Sequence, residues 1–216
     1  MSSPFLEDRL FLEETLAQWG LSINLEPAWK GLVALASALE QQAKELHLTA
    51  VKGIGPRLRG PFLEALILAA HLPSLSPVAD LGTGAGIPGL VIKLVRPELT
   101  VHLVEAYAPR VAFMRRFIQE FGIKNAFVHC CHIGREDCGL KMPLALARGY
   151  GEVSKFVLHA WNFFHAQKAY YLWRYHLEPW HKKELPMRLT KRYPYPKVKA
   201  ELLIWESLSD QPCDSR

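Results

Sequence analysis

The hydrophobic positions of this chain change period once. Up to about residue 72 they recur at helical spacing, and from Pro77 onward they gather in short β-type runs separated by further helical stretches. The segment FLEDRLFLEETLAQW (5–19) is amphipathic, and a second helix opens at Glu26-Pro27, with proline at a first helical position. It places Trp29, Leu32, Val33, Ala36, Leu39, Ala43 and Leu46 on one side. The turn-rich VKGIGPRLRGP (51–61) leads to FLEALILAAHL (62–72), which is apolar nearly all round and so predicted to be buried.

Beyond Pro77, VADL is followed by a glycine loop and LVIKLV, and TVHLVE by a helix starting near Pro109 with Phe113, Met114, Phe117, Ile118 and Phe121 on one face. AFVHCC and PLALAR come next, then a helix carrying Val153, Phe156, Val157, Ala160, Phe163 and Phe164, then AYYLW and a late strand, ELLIWE. Alternating strands and helices predict an α/β domain, a mostly parallel, doubly wound sheet covered on both faces. The expected organisation is a helical extension over 1–72, packed on the edge of the core or capping its ligand mouth. A core over 73–208 and a disordered tail over 209–216 complete it.

Composition narrows the picture. A 216-residue chain with half its residues apolar folds around a sizeable core. The acids in MSSPFLEDRLFLEE argue against an export signal, and the longest apolar run, ALILAA, is too short to span a bilayer. The expectation is a soluble, cytoplasmic protein with no membrane partner. Four cysteines, two of them adjacent, do not resemble a disulfide framework. The run HCCH (129–132) looks like a metal cluster, but neighbouring side chains on a strand point to opposite faces; buried thiols in a core strand, and no metal, are expected. The net charge of +5 favours polyanionic partners. Arg57, Arg59, Arg110, Arg115, Arg116, Lys182, Lys183, Arg188, Lys191, Arg192, Lys197 and Lys199 are the candidates for an RNA face, with Trp180, Tyr193 and Tyr195 placed to stack on bases.

Asp80–Gly89 reads DLGTGAGIPG and satisfies two patterns. Gly84, Gly86 and Gly89 spell the G-x-G-x-x-G of dinucleotide sites, whereas Asp80, Gly82 and Gly84 spell the D-x-G-x-G of loops that hold S-adenosylmethionine. Electrostatics separate them. An Asp80 carboxylate at the loop entrance repels a pyrophosphate and attracts the ammonium and sulfonium of S-adenosylmethionine, and Pro88 removes a donor that a phosphate would use. Glu105, about 20 residues on, suits a ribose diol in either case. S-adenosylmethionine is the expected cofactor, against a dinucleotide-dependent oxidoreductase.

The same stretch, with VRPE (95–98), VEAYAPRVAFMRR, HLTAV (47–51) and PFLEAL (61–66), resembles the bacterial 16S rRNA guanine-N7 methyltransferases, the glucose-inhibited division protein B family. The resemblance runs from about Leu39 to Arg148. It implies a Rossmann-like class I S-adenosylmethionine-dependent methyltransferase acting on a guanine N7 in ribosomal RNA or the small ribosomal subunit; a monomer is expected. It also implies cofactor contacts at Gly82, Ile87, Glu105, Glu136, Asp137 and Arg148. Guanine N7 carries a lone pair and no proton, so no general base is required; Arg110, Arg148 and Arg174 are the candidates for positioning RNA. The absence of H-E-x-x-H, C-x-x-C and a serine elbow agrees. The chain departs from the family in having Pro61 for a histidine and Glu64-Ala65 for an Asp-Ser pair. Pro109-Arg110 stands for two basic residues and Trp173-Arg174 for a Lys-Gly pair. These departures motivate competing readings, a non-catalytic relative that binds S-adenosylmethionine or RNA in ribosome assembly or regulation, or an S-adenosylmethionine-dependent methyltransferase with a different substrate.

Overall fold

A computed structural model describes residues 5–48, 51–74, 76–174 and 184–208. The N-terminal part is helical: α1 (Leu6–Gln18), α2 (Trp29–Gln41), a single turn α3 (Ile54–Arg57) and α4 (Leu63–His71). Between α3 and α4 the helix widens into a π turn over Leu58–Phe62 that contains Pro61. A proline has no N–H for the ladder and its ring crowds the preceding turn, and the wider π turn accommodates both. The stretch predicted as a turn-rich linker is therefore a continuous helical entry into α4.

The remainder alternates as expected: β1 (Val78–Leu81), α5 (Gly89–Val95), β2 (Val101–Glu105), α6 (Ala108–Glu120), β3 (Ala126–Cys130), β4 (Leu144–Arg148), α7 (Val153–Phe164), β5 (Lys168–Arg174), β6 (Met187–Tyr195) and β7 (Ala200–Ser207). They form a seven-stranded sheet of order β3-β2-β1-β4-β5-β7-β6. The pairs among β1 to β5 are parallel, and β7 runs antiparallel between β5 and β6. The hydrophobic pattern gives no sign of β6. It is an edge strand whose Arg188, Lys191, Arg192 and Pro194 are at least partly exposed, so it lacks the apolar run of a central strand.

Strand side chains alternate between two cores. Val78, Leu103, Leu144, Leu146, Leu172 and Leu202 face one cluster, which also takes Leu12, Leu32 and Leu66 of the N-terminal helices, Leu90 of α5 and Phe113 of α6. Ala79, Leu81, Ala145, Ala147, Tyr171 and Leu203 face the other, covered by Val153, Phe156, Val157, Ala160 and Phe164 of α7. The helical extension thus lies on a face of the sheet, with α2 and α4 against α5, and not on its edge. The small alanines on the α7 side let that helix approach closely.

Phe121 follows the end of α6 and is 40% exposed, so it does not share the buried stripe of Phe113, Met114 and Phe117. β3 is an edge strand that ends at Cys130, whose thiol is exposed, whereas Cys131 just beyond it is buried against the α7 side of the core. Cys131 is bonded to Cys138 in a disulfide across a Cα–Cα distance of 5.7 Å, contrary to what the spacing of the cysteines suggests. The tail over 209–216, Lys182, Lys183 and Trp180 lie outside the described residues, as do Thr49 and Ala50 of the HLTAV segment. Among the described residues no helix is long and apolar enough to cross a membrane.

Candidate active site

The strand order reverses direction between β1 and β4, and a ligand cleft opens there at the carboxyl ends of the strands. A cavity of about 340 Å³ occupies this place. Gly82, Thr83, Gly84, Ala85 and Ile87 form its floor, and Arg148 and Arg174 come from the ends of β4 and β5. Arg110 of α6 and His47, Leu48, Val51, Arg57 and Pro61 of the N-terminal part form its rim. The extension therefore caps the mouth while lying on the face of the sheet. A larger cavity of about 480 Å³ sits at the opposite end of the sheet, but the Arg96 guanidinium there is taken by the carbonyls of Ala69, Leu72 and Pro73.

The turn of the glycine loop into α5 is held by its own hydrogen bonds. Gly86 and Ile87 donate to the Thr83 carbonyl, Leu90 to Gly86, and Gly89 to Asp80 Oδ2 at 2.7 Å; Pro88 has no N–H to offer. The N–H groups of Gly86, Ile87, Gly89 and Leu90 are thus used within the protein, which leaves fewer donors for a pyrophosphate at the start of α5, an argument against a dinucleotide that does not rest on charge. Gly84 has φ +63° and nothing within 4 Å of where a Cβ would stand, so the loop leaves open space above it. Gly89 is needed for the opposite reason: a Cβ there would lie 2.1 Å from Leu103 and 2.8 Å from Asp80.

Asp80 does something other than what its position suggests. It is fully buried and does not line the cavity. Its Oδ2 accepts from Thr83 Oγ1 and from the Gly89 N–H, and burial pushes its carboxyl up to about 7, against the opposing pull of these two hydrogen bonds and of Arg148. Asp80 ties the loop to the start of α5; it is not a counter-charge displayed to a ligand.

Glu105 ends β2, where its Oε1 accepts from the Tyr107 N–H at 2.8 Å and its Oε2 lies 3.8 Å from Arg110 Nη1. Arg110 also donates to the Leu46 carbonyl at 3.0 Å, which holds the N-terminal rim against the start of α6. Arg57 is buried and donates to Glu40, whose carboxyl is held below its ordinary range by the Gly53 N–H and by Arg57. Arg148 Nε and Arg174 Nη2 both donate to Glu64, the latter at 2.6 Å. Four arginines thus line the cavity against three paired carboxylates, Glu40, Glu105 and Glu64. In the sequence Glu64 stands out only as a departure from a family pattern. The further signal is its being the sole acid in an otherwise apolar helix.

Glu136 and Asp137 are not brought into this cavity. They are exposed on the loop closed by the Cys131–Cys138 disulfide and line a separate depression of about 310 Å³ with Arg115. Glu136 accepts from the His132 N–H and Asp137 from the Gly139 N–H. Much of the wider basic set is also engaged. Arg59 pairs with Asp8, Arg116 with Gln42, Arg192 with Glu201 and Lys197 with Gln18, and Arg115 donates to the Val128 carbonyl. Tyr195 is buried and bonded to His71, so it is no stacking platform. His102 and His129 meet ring to ring on β2 and β3, with Nδ1 and Nε2 3.0 Å apart. No group of three or more metal-ligating side chains occurs among the described residues.

Sheet order, glycine loop and strand-end acid define a Rossmann-like methyltransferase fold. Solved structures agree at the level of fold. A point mutant of MtNAS in complex with S-adenosylmethionine superposes with a TM-score of 0.59 at 14% identity, over 96% of this chain and 99% of that one. A SAM-dependent methyltransferase from Aquifex aeolicus gives 0.50 at 15% identity, over 82% and 98%. The particular family follows from sequence: residues 29–193 match the family rRNA small subunit methyltransferase G, and the chain belongs to it. Ribosomal RNA small subunit methyltransferase G of Methylobacillus flagellatus is 31% identical over 68% of this chain and 70% of its own length. That of Desulfotalea psychrophila is 34% identical over 54% of each chain.

Proposed function

We propose that the protein transfers a methyl group from S-adenosylmethionine to N7 of a guanine in small-subunit ribosomal RNA. The observation that carries this reading is the cavity itself, an open glycine loop whose turn into α5 spends its donors within the protein on one side, and a surplus of arginine on the other. When bound, S-adenosylmethionine supplies an electrophilic methyl on a sulfonium. Gly82, Gly84 and Ile87 line the cavity and give it close backbone approach, Gly86 makes the tight turn against Leu90, and Glu105 offers carboxylate oxygens for ribose hydroxyls. Arg148 stands at the junction of cofactor and RNA, and Arg174 and Arg110 face the polyanion. Glu136 and Asp137 serve the adenine only through a movement of their loop toward the cavity or through its backbone.

The acceptor nitrogen brings its own lone pair and has no proton to lose, so alignment and electrostatics suffice and no side chain is assigned as base. The reading includes a cytoplasmic monomer. Size-exclusion chromatography near 24.5 kDa checks that part.

Transfer of labelled methyl from S-adenosylmethionine to small subunits lacking their N7 methylation tests the reading. Label on a single guanine is the expected result. Cofactor binding without transfer to intact subunits overturns it in favour of a binding relative, and tight NAD binding without S-adenosylmethionine binding overturns the cofactor as well.

A further inference from the structure

Among the described residues, Glu64 is the one carboxylate that receives two guanidinium groups from two different strands. It sits on α4 at 2% exposure, surrounded by Leu63, Ala65, Leu66 and Ile67, all fully or almost fully buried. Each oxygen has its own arginine: Oε2 accepts from Arg148 Nε and Oε1 from Arg174 Nη2. Such a carboxylate would be costly to bury alone, and both its oxygens are satisfied only because β4 and β5 deliver an arginine each.

The arrangement is asymmetric. The Glu64 side chain is 3% exposed, that of Arg148 18% and that of Arg174 35%, so charge is anchored inside and presented outside. Two cations against one anion leave a local surplus of one positive charge. It is held in fixed geometry beside the glycine loop, and each guanidinium spends only part of its fork of N–H groups on Glu64. A planar donor fork suits an oxyanion.

We propose that Glu64 is a positioning residue, resting on the methyltransferase reading above. It fixes Arg148 and Arg174 as a paired seat for one oxyanion of the bound reactants. Two reactant groups carry that chemistry, a backbone phosphate of the RNA and the α-carboxylate of the methionine part of the donor. Glu64 touches neither; it sets where the guanidinium groups stand.

Glu64→Gln keeps the shape and removes the charge, Glu64→Asp keeps the charge and shortens the reach by one methylene, and Arg174→Gln removes the exposed member. Three quantities are measured on each variant with its unfolding midpoint: S-adenosylmethionine affinity by calorimetry, affinity for a fluorescent RNA hairpin against salt, and methyl transfer to small subunits. If the anion is a phosphate, Glu64→Gln lowers kcat at least tenfold while KM for subunits stays level or falls, because the mouth gains net positive charge but loses alignment. Arg174→Gln then weakens hairpin binding and flattens its logarithmic salt dependence by about 0.7–0.9. If the anion is the methionine carboxylate, both variants weaken S-adenosylmethionine at least tenfold and leave the hairpin salt slope unchanged. In either case Glu64→Asp recovers part of the loss.

The proposal is overturned if Glu64→Gln loses activity only in proportion to its unfolded fraction, or matches the unaltered protein, with Arg174→Gln changing neither affinity. The binding measurements do not require turnover. A protein that transfers no methyl anywhere therefore defeats the functional reading while still deciding whether the seat exists.

Discussion

Two buried carboxylates stand at the same end of the sheet and are used in opposite ways. Asp80, under the glycine loop, meets only neutral donors, the Thr83 hydroxyl and the Gly89 N–H, and its proton is retained up to about pH 7. Glu64, under the arginine mouth, meets two guanidinium groups. The first region is a backbone device whose hydrogen bonds are spent inside the protein. The second is a charge device whose anion is buried so that cations can be displayed. Substitutions in the loop should therefore register chiefly as stability, and those at the mouth chiefly as binding and rate.

The largest expected effect is at Gly89. An added Cβ would lie 2.1 Å from Leu103 Cδ2 and 2.8 Å from Asp80 Oδ2, two fully buried side chains. Gly89→Ala is expected to cost about 3 kcal/mol in urea unfolding, the upper part of the usual overpacking range. A cost below about 1 kcal/mol would show that the start of α5 can retreat from β2, and the contrast between a rigid loop and an adaptable mouth would weaken.

Asp80→Ala comes next. It strands a buried amide and a buried hydroxyl, at about 1–3 kcal/mol for each. The pH dependence identifies the cause. Asp80 has an ordinary value of 3.8 and is pushed up to about 7, so between those values the folded protein holds a proton that the unfolded chain has released. Stability from this group is full below about pH 4, falls as pH rises, and levels off above about pH 7. The cost of Asp80→Ala is accordingly largest near pH 4 and shrinks by up to about 4 kcal/mol toward pH 8. A cost that stays level over this window would mean that Asp80 is already ionised in the folded protein, returning it to the role of counter-charge.

How much of this is legible in sequence depends on the signal each residue carries. The strand-to-helix alternation from Val78 to Phe164 is readable because both cores are apolar and the period switches cleanly between two and helical spacing. β6 is not, since an antiparallel edge strand pairs on one side only and tolerates Arg188, Lys191 and Pro194. The loop motif locates the cavity, but letters alone cannot say that Asp80 points inward. That depends on Thr83 and Gly89 folding back over it, a tertiary fact. Glu64 stands in plain view as one acid among Leu63, Ala65 and Leu66. Its meaning requires knowing that Arg148 and Arg174, 84 and 110 residues away, end on neighbouring strands. The Cys131–Cys138 pair is hidden by the adjacent Cys130, whose side chain leaves the strand on the other face.

The smallest expected effect lies where the two regions touch. Tyr150 follows Arg148 by two residues and lays its ring under the loop, where a Cβ on Gly82 would meet its Cδ2 and Cε2 at 3.1 Å. Its hydroxyl bonds to His159 Nδ1 at 2.7 Å, and burial pushes the phenol up to about 12, so it stays neutral throughout the working range. Tyr150→Phe keeps the ring and removes only that hydrogen bond, so it should cost about 1 kcal/mol and leave S-adenosylmethionine affinity within about threefold. Tyr150→Ala removes the support beneath Gly82 as well, and should weaken the cofactor further than it weakens the fold. If Tyr150→Phe alone abolishes cofactor binding, the His159 contact is part of the site, and the boundary between a stability-bearing loop and a charge-bearing mouth must be moved to include α7.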